Sequence, residues 1–480
     1  VKNKAWCYKT NVIILTIYTV FVAISVMAQA EQTPLPNTDA PSSNTASTQS
    51  TKNKTKVPSV EERLCSNLKG IPIGSFKLDL GVGLRLRGEF QDNFNIKKFG
   101  DGSQDEILLE RLRVELGLYF LKGFRLFVQG QDAYEFGCNF SNEDFQSGSP
   151  YNNHFDLRQA FLEWTYINGT PIGFKIGRQS IAFTDNRLMG PGEWGNVGRY
   201  AWDASTLNWR SETVNIDLFY AFRVQYDPAG FDHRHFDYDV LGLFSTFPVK
   251  MLKLHAFYFL RMNNFPSDEN KSASGSFHRH SPGISLEGSF DNRIDIRMGV
   301  IPQFGRWGEQ SVFALGGYAV LGYTAPIHGA PRIGLHYAYG SGDSETDDNT
   351  ARTFDGIFGA VAKYYGRMNL FAWMNLHDLQ LALSASPLKL IKINADYHLF
   401  MLAEDSDAWY YANGKPQRQD PSGTSGHVIG HEMDLVVIIK ATKQAQFQVG
   451  YGIFVPGEFV RNTGFHKLTH WGYLQSSYKF

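Results

Sequence analysis

Between Phe76 and Phe90 the chain reads FKLDLGVGLRLRGEF, and apolar and polar residues alternate along it. Phe76, Leu78, Leu80, Val82, Leu84, Leu86 and Phe90 share one parity, whereas Lys77, Asp79, Arg85, Arg87 and Glu89 share the other. Successive side chains of a strand point to opposite faces, so such a strand has one greasy face and one charged face. Charges aimed into an ordinary protein core are costly without partners. Lipid on one side and water on the other removes that cost, and the pattern is that of a transmembrane β-barrel strand.

The ladder recurs. Leu112, Val114, Leu116, Leu118 and Phe120 alternate with Arg111, Arg113, Glu115, Gly117 and Tyr119. Phe124, Leu126 and Val128 alternate with Arg125, Phe127 and Gln129. Val214, Ile216, Leu218, Tyr220, Phe222 and Val224 alternate with Asn215, Asp217, Phe219, Ala221 and Arg223. From Ile172 to Ala182 the parity does not resolve. Polar stretches at Gly137–Asn153, Asn263–His280 and Gly340–Thr353 predict long loops at one end of the strands, with short turns at the other. The chain ends YLQSSYKF, an aromatic-terminated strand of the kind barrel-assembly machinery reads, with Leu474, Tyr478 and Phe480 on one parity. Residues 74–480, at about 22–25 residues per strand and connection, give roughly 16–18 strands and a lumen wide enough for an aqueous pore. The predicted class is all-β, a transmembrane antiparallel barrel over residues 73–480.

Composition agrees. Aromatic residues make up 14% of the chain and there are 46 glycines, which favours strands, tight turns and interfacial girdles. A mean hydropathy of −0.28 argues against a helical membrane bundle. Residues 1–30 read as a secretory signal, with Lys2, Lys4 and Lys9 before an apolar stretch from Val12 to Met27 and Ala28-Gln29-Ala30 as a small-residue cleavage site. An uncleaved anchor is the alternative. No Cys follows the apolar stretch, which argues against a lipoprotein. Residues 31–72 are mostly Thr, Ser, Asn, Gln and Pro and predict a low-complexity periplasmic leader. Without the three lysines of the signal the formal charge is −4, so overall charge indicates no anionic partner and the distribution must decide. Cys65 and Cys138 remain, and their spacing does not decide whether they pair.

The arginines carry the chemistry. Arg85, Arg87, Arg111, Arg113, Arg125 and Arg223 fall on the polar parity, and on the lipid face each would cost about 2–4 kcal/mol near the midplane. They therefore belong in the lumen, where low-dielectric walls focus their field on anions and guanidinium groups grip carboxylates. Asp79, Glu89, Glu115 and Asp217 share those faces, so wall-bracing salt bridges compete with a basic conduction path. The segment Gly177–Asp203 is Gly-rich and carries Arg178, Arg187, Trp194, Arg199, Trp202 and Asp203. It reads as a connection folded inward to narrow the pore, with an ordinary loop as the alternative. FDHRHFDYD at 231–239 reads as a solvated loop rather than a metal site, and SGDSETDDN at 341–349 is acidic enough to attract Ca²⁺ but lacks the twelve-residue loop pattern of a specific site. No nucleophile elbow, zinc motif or phosphate loop occurs, so no catalytic residue, metal or cofactor is assigned.

Several segments together resemble a known family. GRQSIAFTDNRLMG at 177–190, Trp194, WDA at 202–204, SGD at 341–343, TFDGIFG at 353–359, YYGRMNLFAWMNLHDL at 364–379, GHEMDL at 430–435 and GYGIFVPGEF at 450–459 stand in the order found in alginate export porins of Gram-negative outer membranes. The resemblance implies a monomeric 18-stranded barrel in outer-membrane lipid and passive export of an anionic uronate polysaccharide through an arginine-rich constriction. By position it points to Arg111, Arg113, Arg178, Arg187 and Arg199. The long leader departs from the family pattern. A porin for small anions or sugars, a barrel enzyme and a plugged structural barrel are the alternatives.

Overall fold

The computed structural model describes residues 68–145, 148–263, 277–345 and 347–480, the side chains of 121, 235–238 and 263 apart. The expected signal peptide, nearly all of the leader, and Cys65 lie outside the described residues. The chain divides into two units, residues 1–72 and 73–480, and the second forms the barrel.

Eighteen long strands follow one another around a single sheet. They are β1 (Phe76–Asp92), β2 (Asp105–Leu121), β3 (Phe124–Phe136), β4 (Asn153–Trp164), β5 (Ile172–Gln179), β6 (Trp202–Arg210), β7 (Asn215–Gln225), β8 (His233–Val249) and β9 (Leu252–Asn263). Then come β10 (Phe277–Phe290), β11 (Ile294–Trp307), β12 (Gln310–Thr324), β13 (Arg332–Gly340), β14 (Leu376–Leu388), β15 (Ile391–Met401), β16 (Val428–Lys440), β17 (Ala445–Pro456) and β18 (Thr469–Lys479). Each pairs antiparallel with its neighbours, and β18 returns to β1 in a register that sets Tyr478 against Leu84. The sheet is closed and has no free edge to satisfy. Among the described residues no helix is long and apolar enough to cross a membrane.

The alternation decides which face is which. Val114 is 49% exposed and Leu84 and Leu116 are 38% exposed, whereas Arg85 and Arg87 are only 7% exposed. Apolar side chains point out to lipid and charged ones point in. Val224 departs from its expected parity. The β7–β8 register shifts between Phe222 and Val224, and this bulge leaves Val224 buried, its N–H donating to Ala201 O.

Glycines on the inner face make room for aromatic rings. Phe219 lies over its cross-strand partner Gly242, and a Cβ there would sit 2.0 Å from the ring. Phe257 covers Gly283 and Tyr473 covers Gly450 in the same way. On the outer face, near the ends that lead to the longer loops, four hydrogen-bonded pairs repeat: Tyr258–His280 (2.5 Å), Tyr337–His377 (2.7 Å), Tyr397–His431 (2.8 Å) and Tyr451–His470 (2.7 Å). In each, the histidine stands opposite the residue two places beyond the tyrosine. Side chains with an apolar body and a polar tip suit a membrane interface.

The interior is not a bare aqueous cylinder. The loops 93–104, 180–201, 341–375 and 402–427 turn inward and share an apolar core with inward-facing strand residues. Phe371 stacks on Phe400 at 3.7 Å, Phe99 meets Trp409 at 5.4 Å and Trp202 meets Phe358 at 4.8 Å between ring centres. The second of the expected loops is shorter than its polar composition suggested, since β10 already begins at Phe277; residues 264–276 lie outside the described residues. The third is longer and runs on through 375.

Candidate functional site

Register places the basic residues of β1 and β2 side by side. Arg85 stands directly opposite Arg111, and Arg113 opposite Gly83. Like charges this close repel unless something negative lies between them. That group comes from the 180–201 loop. Glu193 Oε2 accepts from Arg111 Nη1 at 2.7 Å, and its other oxygen lies 3.5 Å from Arg113. Arg85 donates to Gly195 O and, at 3.1 Å, to Asn196 Oδ1. Three guanidinium groups thus converge on one four-residue stretch that carries a single carboxylate. Partial desolvation in the lumen would by itself raise the Glu193 carboxyl, but Arg113 and Arg111 outweigh it and hold it down at about 2.

The loop is bolted there by Asn196, which is fully buried and whose amide donates to the carbonyls of Glu110, Tyr134 and Tyr151 at 2.7–3.0 Å. Gly198 adopts φ +95°, and a Cβ on it would meet the Arg158 guanidinium at 2.8 Å, so only glycine lets the loop pass. Arg158 in turn donates to Tyr200 O at 2.8 Å.

The other expected site residues occupy distinct places. Arg87 pairs with Glu89 at 2.7 Å beneath the Tyr473 ring. Glu115 does not neutralise Arg111 or Arg113; it accepts from Gln129 at 2.9 Å and lies 3.3 Å from Lys479. Arg125 lies next to the short turn joining β2 to β3, 3.9 Å from Glu163 and over Phe127. Arg178 grips its cross-strand partner Asp203 through two nitrogens, at 2.8 and 3.2 Å. Arg223 faces the Tyr200 ring at 5.5 Å. Arg199 donates to Ala412 O at 2.7 Å and so ties two inward loops together. Arg187 is buried against the rings of Tyr364 (4.0 Å) and Tyr318 (4.7 Å), with Asp185 at 3.8 Å. Burial alone would lower its pKa, but the surrounding Tyr365, Asp185 and Tyr364 raise it, so it stays a cation inside an aromatic cage. The structure brings Arg85, Arg111 and Arg113 together and sets Arg187 apart from them.

A second loop repeats the device. Asp355, in the TFDGIFG segment, pairs with Arg261 of β9 and lies 3.7 Å from Arg279 of β10, while Gln303 of β11 accepts from its N–H at 3.0 Å. Further along the same loop, Glu432 and Asp434 of β16 accept the N–H groups of Met368 (2.9 Å) and Arg367 (3.2 Å). Sequence reasoning missed Asn196, Arg158, Arg261, Arg279 and Asp355 as members of this machinery. The available signal was that Asp355, Glu432 and Asp434 fall in the very segments that carry the family resemblance. Among the described residues no group of His, Cys, Asp and Glu is arranged to hold a metal ion. The His-rich segment is not the solvated loop expected: β8 begins at His233, and the buried Asp232 accepts from Asn153 and from the Asp227 N–H, both at 3.0 Å.

The sequence matches the family described as alginate export over residues 76–473. The chain belongs to the alginate export family. Solved structures similar to this family member include OpdQ of Pseudomonas aeruginosa (TM-score 0.55, 12% identity, 84% of this chain and 97% of that one). OccAB2 of Acinetobacter baumannii is similar at TM-score 0.55 and 8% identity, over 84% of this chain and 98% of that one. OccK8 (OprE) of Pseudomonas aeruginosa is similar at 0.54 and 12%, over 84% and 98%. At such identities the likeness concerns the fold, an 18-stranded outer-membrane barrel. Among curated proteins nothing matches the sequence. Family and fold together point to an outer-membrane transport channel rather than an enzyme.

Proposed function

We propose that this alginate export family member is a passive channel for anionic saccharides, with a uronate polymer of the alginate type as the leading substrate, moving outward along the basic wall of the lumen. The observation that carries the reading is the convergence of Arg85, Arg111 and Arg113 on a stretch with one carboxylate, Glu193. An excess of fixed positive charge in a low-dielectric lumen concentrates anions and favours carboxylates over neutral sugars. In the same reading the chain is a monomer in outer-membrane lipid. Its signal peptide is cleaved after inner-membrane passage, and the assembly machinery recognises β18.

A porin for small anions or sugars is the second reading, and the apolar core made by the inward loops favours it, because that core narrows the path a polymer would need. Block of single channels in a planar bilayer separates the two. A polymer pathway gives oligouronate block that strengthens with chain length and exceeds block by neutral oligosaccharides. A small-solute porin responds to glucuronate and chloride alike, with no gain from length. Equal block by charged and neutral sugars contradicts the anionic-saccharide reading and leaves a porin for small sugars.

A further inference from the structure

Glu193 reaches the arginine cluster from a loop, not from the wall. Its side chain is half exposed, whereas those of Arg111 and Arg113 are largely covered. Carboxylate binding by arginine is strongest when two guanidinium nitrogens face it, and here Glu193 presents its two oxygens to two different arginines. The seat is therefore built for a carboxylate and is filled by one from the protein itself. Arg85, the third member, spends its donors on carbonyl and amide oxygens of the same loop and adds positive charge without a carboxylate of its own. Held at about 2, the Glu193 carboxyl stays ionised through the working pH range, so the seat is occupied by charge at all such pH values.

We propose that Glu193 is a specificity-determining residue that acts as a resident competitor: a uronate carboxylate enters the Arg111–Arg113 seat by exchanging with the Glu193 carboxylate. The inference rests on the anionic-saccharide reading above and deepens it. Exchange keeps the guanidinium groups paired at every stage, so a polymer passes from unit to unit without leaving a buried charge bare. It also sets a threshold, because chloride and neutral sugars do not reproduce the two-oxygen contact and leave Glu193 in place. The same arrangement keeps any single carboxylate from binding too tightly, a requirement for conduction through a binding site.

The test uses the full-length protein in planar bilayers, with tetragalacturonate and neutral maltotetraose as probes. The reading is the ratio of their half-blocking concentrations. Replacing the competitor, in E193Q, is expected to shift that ratio toward tetragalacturonate by roughly tenfold, the size of one charge-assisted contact. E193A empties the seat by a different route and gives a shift in the same direction. A loop merely loosened by the substitution moves both probes together and leaves the ratio unchanged, which overturns the inference. A shift away from tetragalacturonate overturns it too, since Glu193 would then be helping to build the site. If the wild-type channel is blocked as predicted and only the ratio fails to move, the competitor role alone is wrong. If neither wild type nor E193Q discriminates the probes, the anionic-saccharide reading falls and takes this inference with it.

Discussion

Met189 and Phe358, from two loops more than 160 residues apart in the chain, pair as a parallel β-bridge inside the barrel. Gly190 donates to Phe358 O at 3.0 Å and Phe358 to Leu188 O at 3.1 Å, so the 180–201 and 341–375 loops form one body. Replacing Phe358 by Pro removes a donor of this bridge and a ring packed on Trp202. Limited proteolysis of F358P in detergent should then cut both loops. Cleavage confined to the second loop would show that the two move independently.

Glu193 gives that body a pH dependence. Its folded pKa, about 2, lies below its ordinary value of 4.5. A depressed acid contributes its stabilisation fully above the ordinary value and loses it as pH falls through the folded one. Current noise from loop motion should therefore rise between pH 4.5 and about 2. In R111Q/R113Q nothing holds the carboxyl below its ordinary value, so the rise over this window should be lost. Identical profiles for wild type and variant would mean that Arg111 and Arg113 do not hold the loop.

Arg187 separates bracing from conduction. In its tyrosine cage a cation–π contact is worth about 2 kcal/mol when desolvated. R187M should keep the anion preference of the wild type while lowering the temperature at which the barrel loses its compact migration on gels. A fall in anion preference without loss of stability would return Arg187 to the pathway.

The two faces of the wall respond differently. L116R puts a charge among lipid-facing residues of β2 and should cost about 2–4 kcal/mol, seen as impaired insertion into vesicles. G242A drives a methyl against the buried Phe219 ring and should cost about 1–3 kcal/mol by overpacking. Normal folding of either variant would show the assignment of faces, or of the ring-over-glycine contact, to be wrong.

Much of this was legible because a strand has a period of two. The placement of Leu84 outside and Arg85 inside follows from alternation alone, and so does the lipid exposure of Leu116. The strand number followed from length and turn spacing, with the family resemblance deciding on 18. Alternation says nothing of what meets an inward side chain. The pairing of Arg111 with Glu193, 82 positions away, depends on a loop path that only tertiary packing fixes. Phe219 and Phe244 sit on the polar parity of their strands, yet they belong to an internal apolar core made by the same loops. Val224 escapes the alternation because a bulge resets the period, and no residue type near it announces the bulge. Arg187 reads in sequence like any other pathway arginine; its cage is built by Tyr318 and Tyr364, from distant segments.

In the proposed function, fixed positive charge on the β1–β2 wall governs what passes. Ion selectivity reports that charge without any assumption about the saccharide. It is read as the reversal potential of the purified protein in a planar bilayer under a KCl gradient, for wild type and for R85Q/R111Q/R113Q. The expected result is anion selectivity in the wild type and its loss in the variant, with the barrel still folded. A wild-type channel that prefers cations, or a variant with unchanged selectivity, would contradict the proposed role of the three arginines.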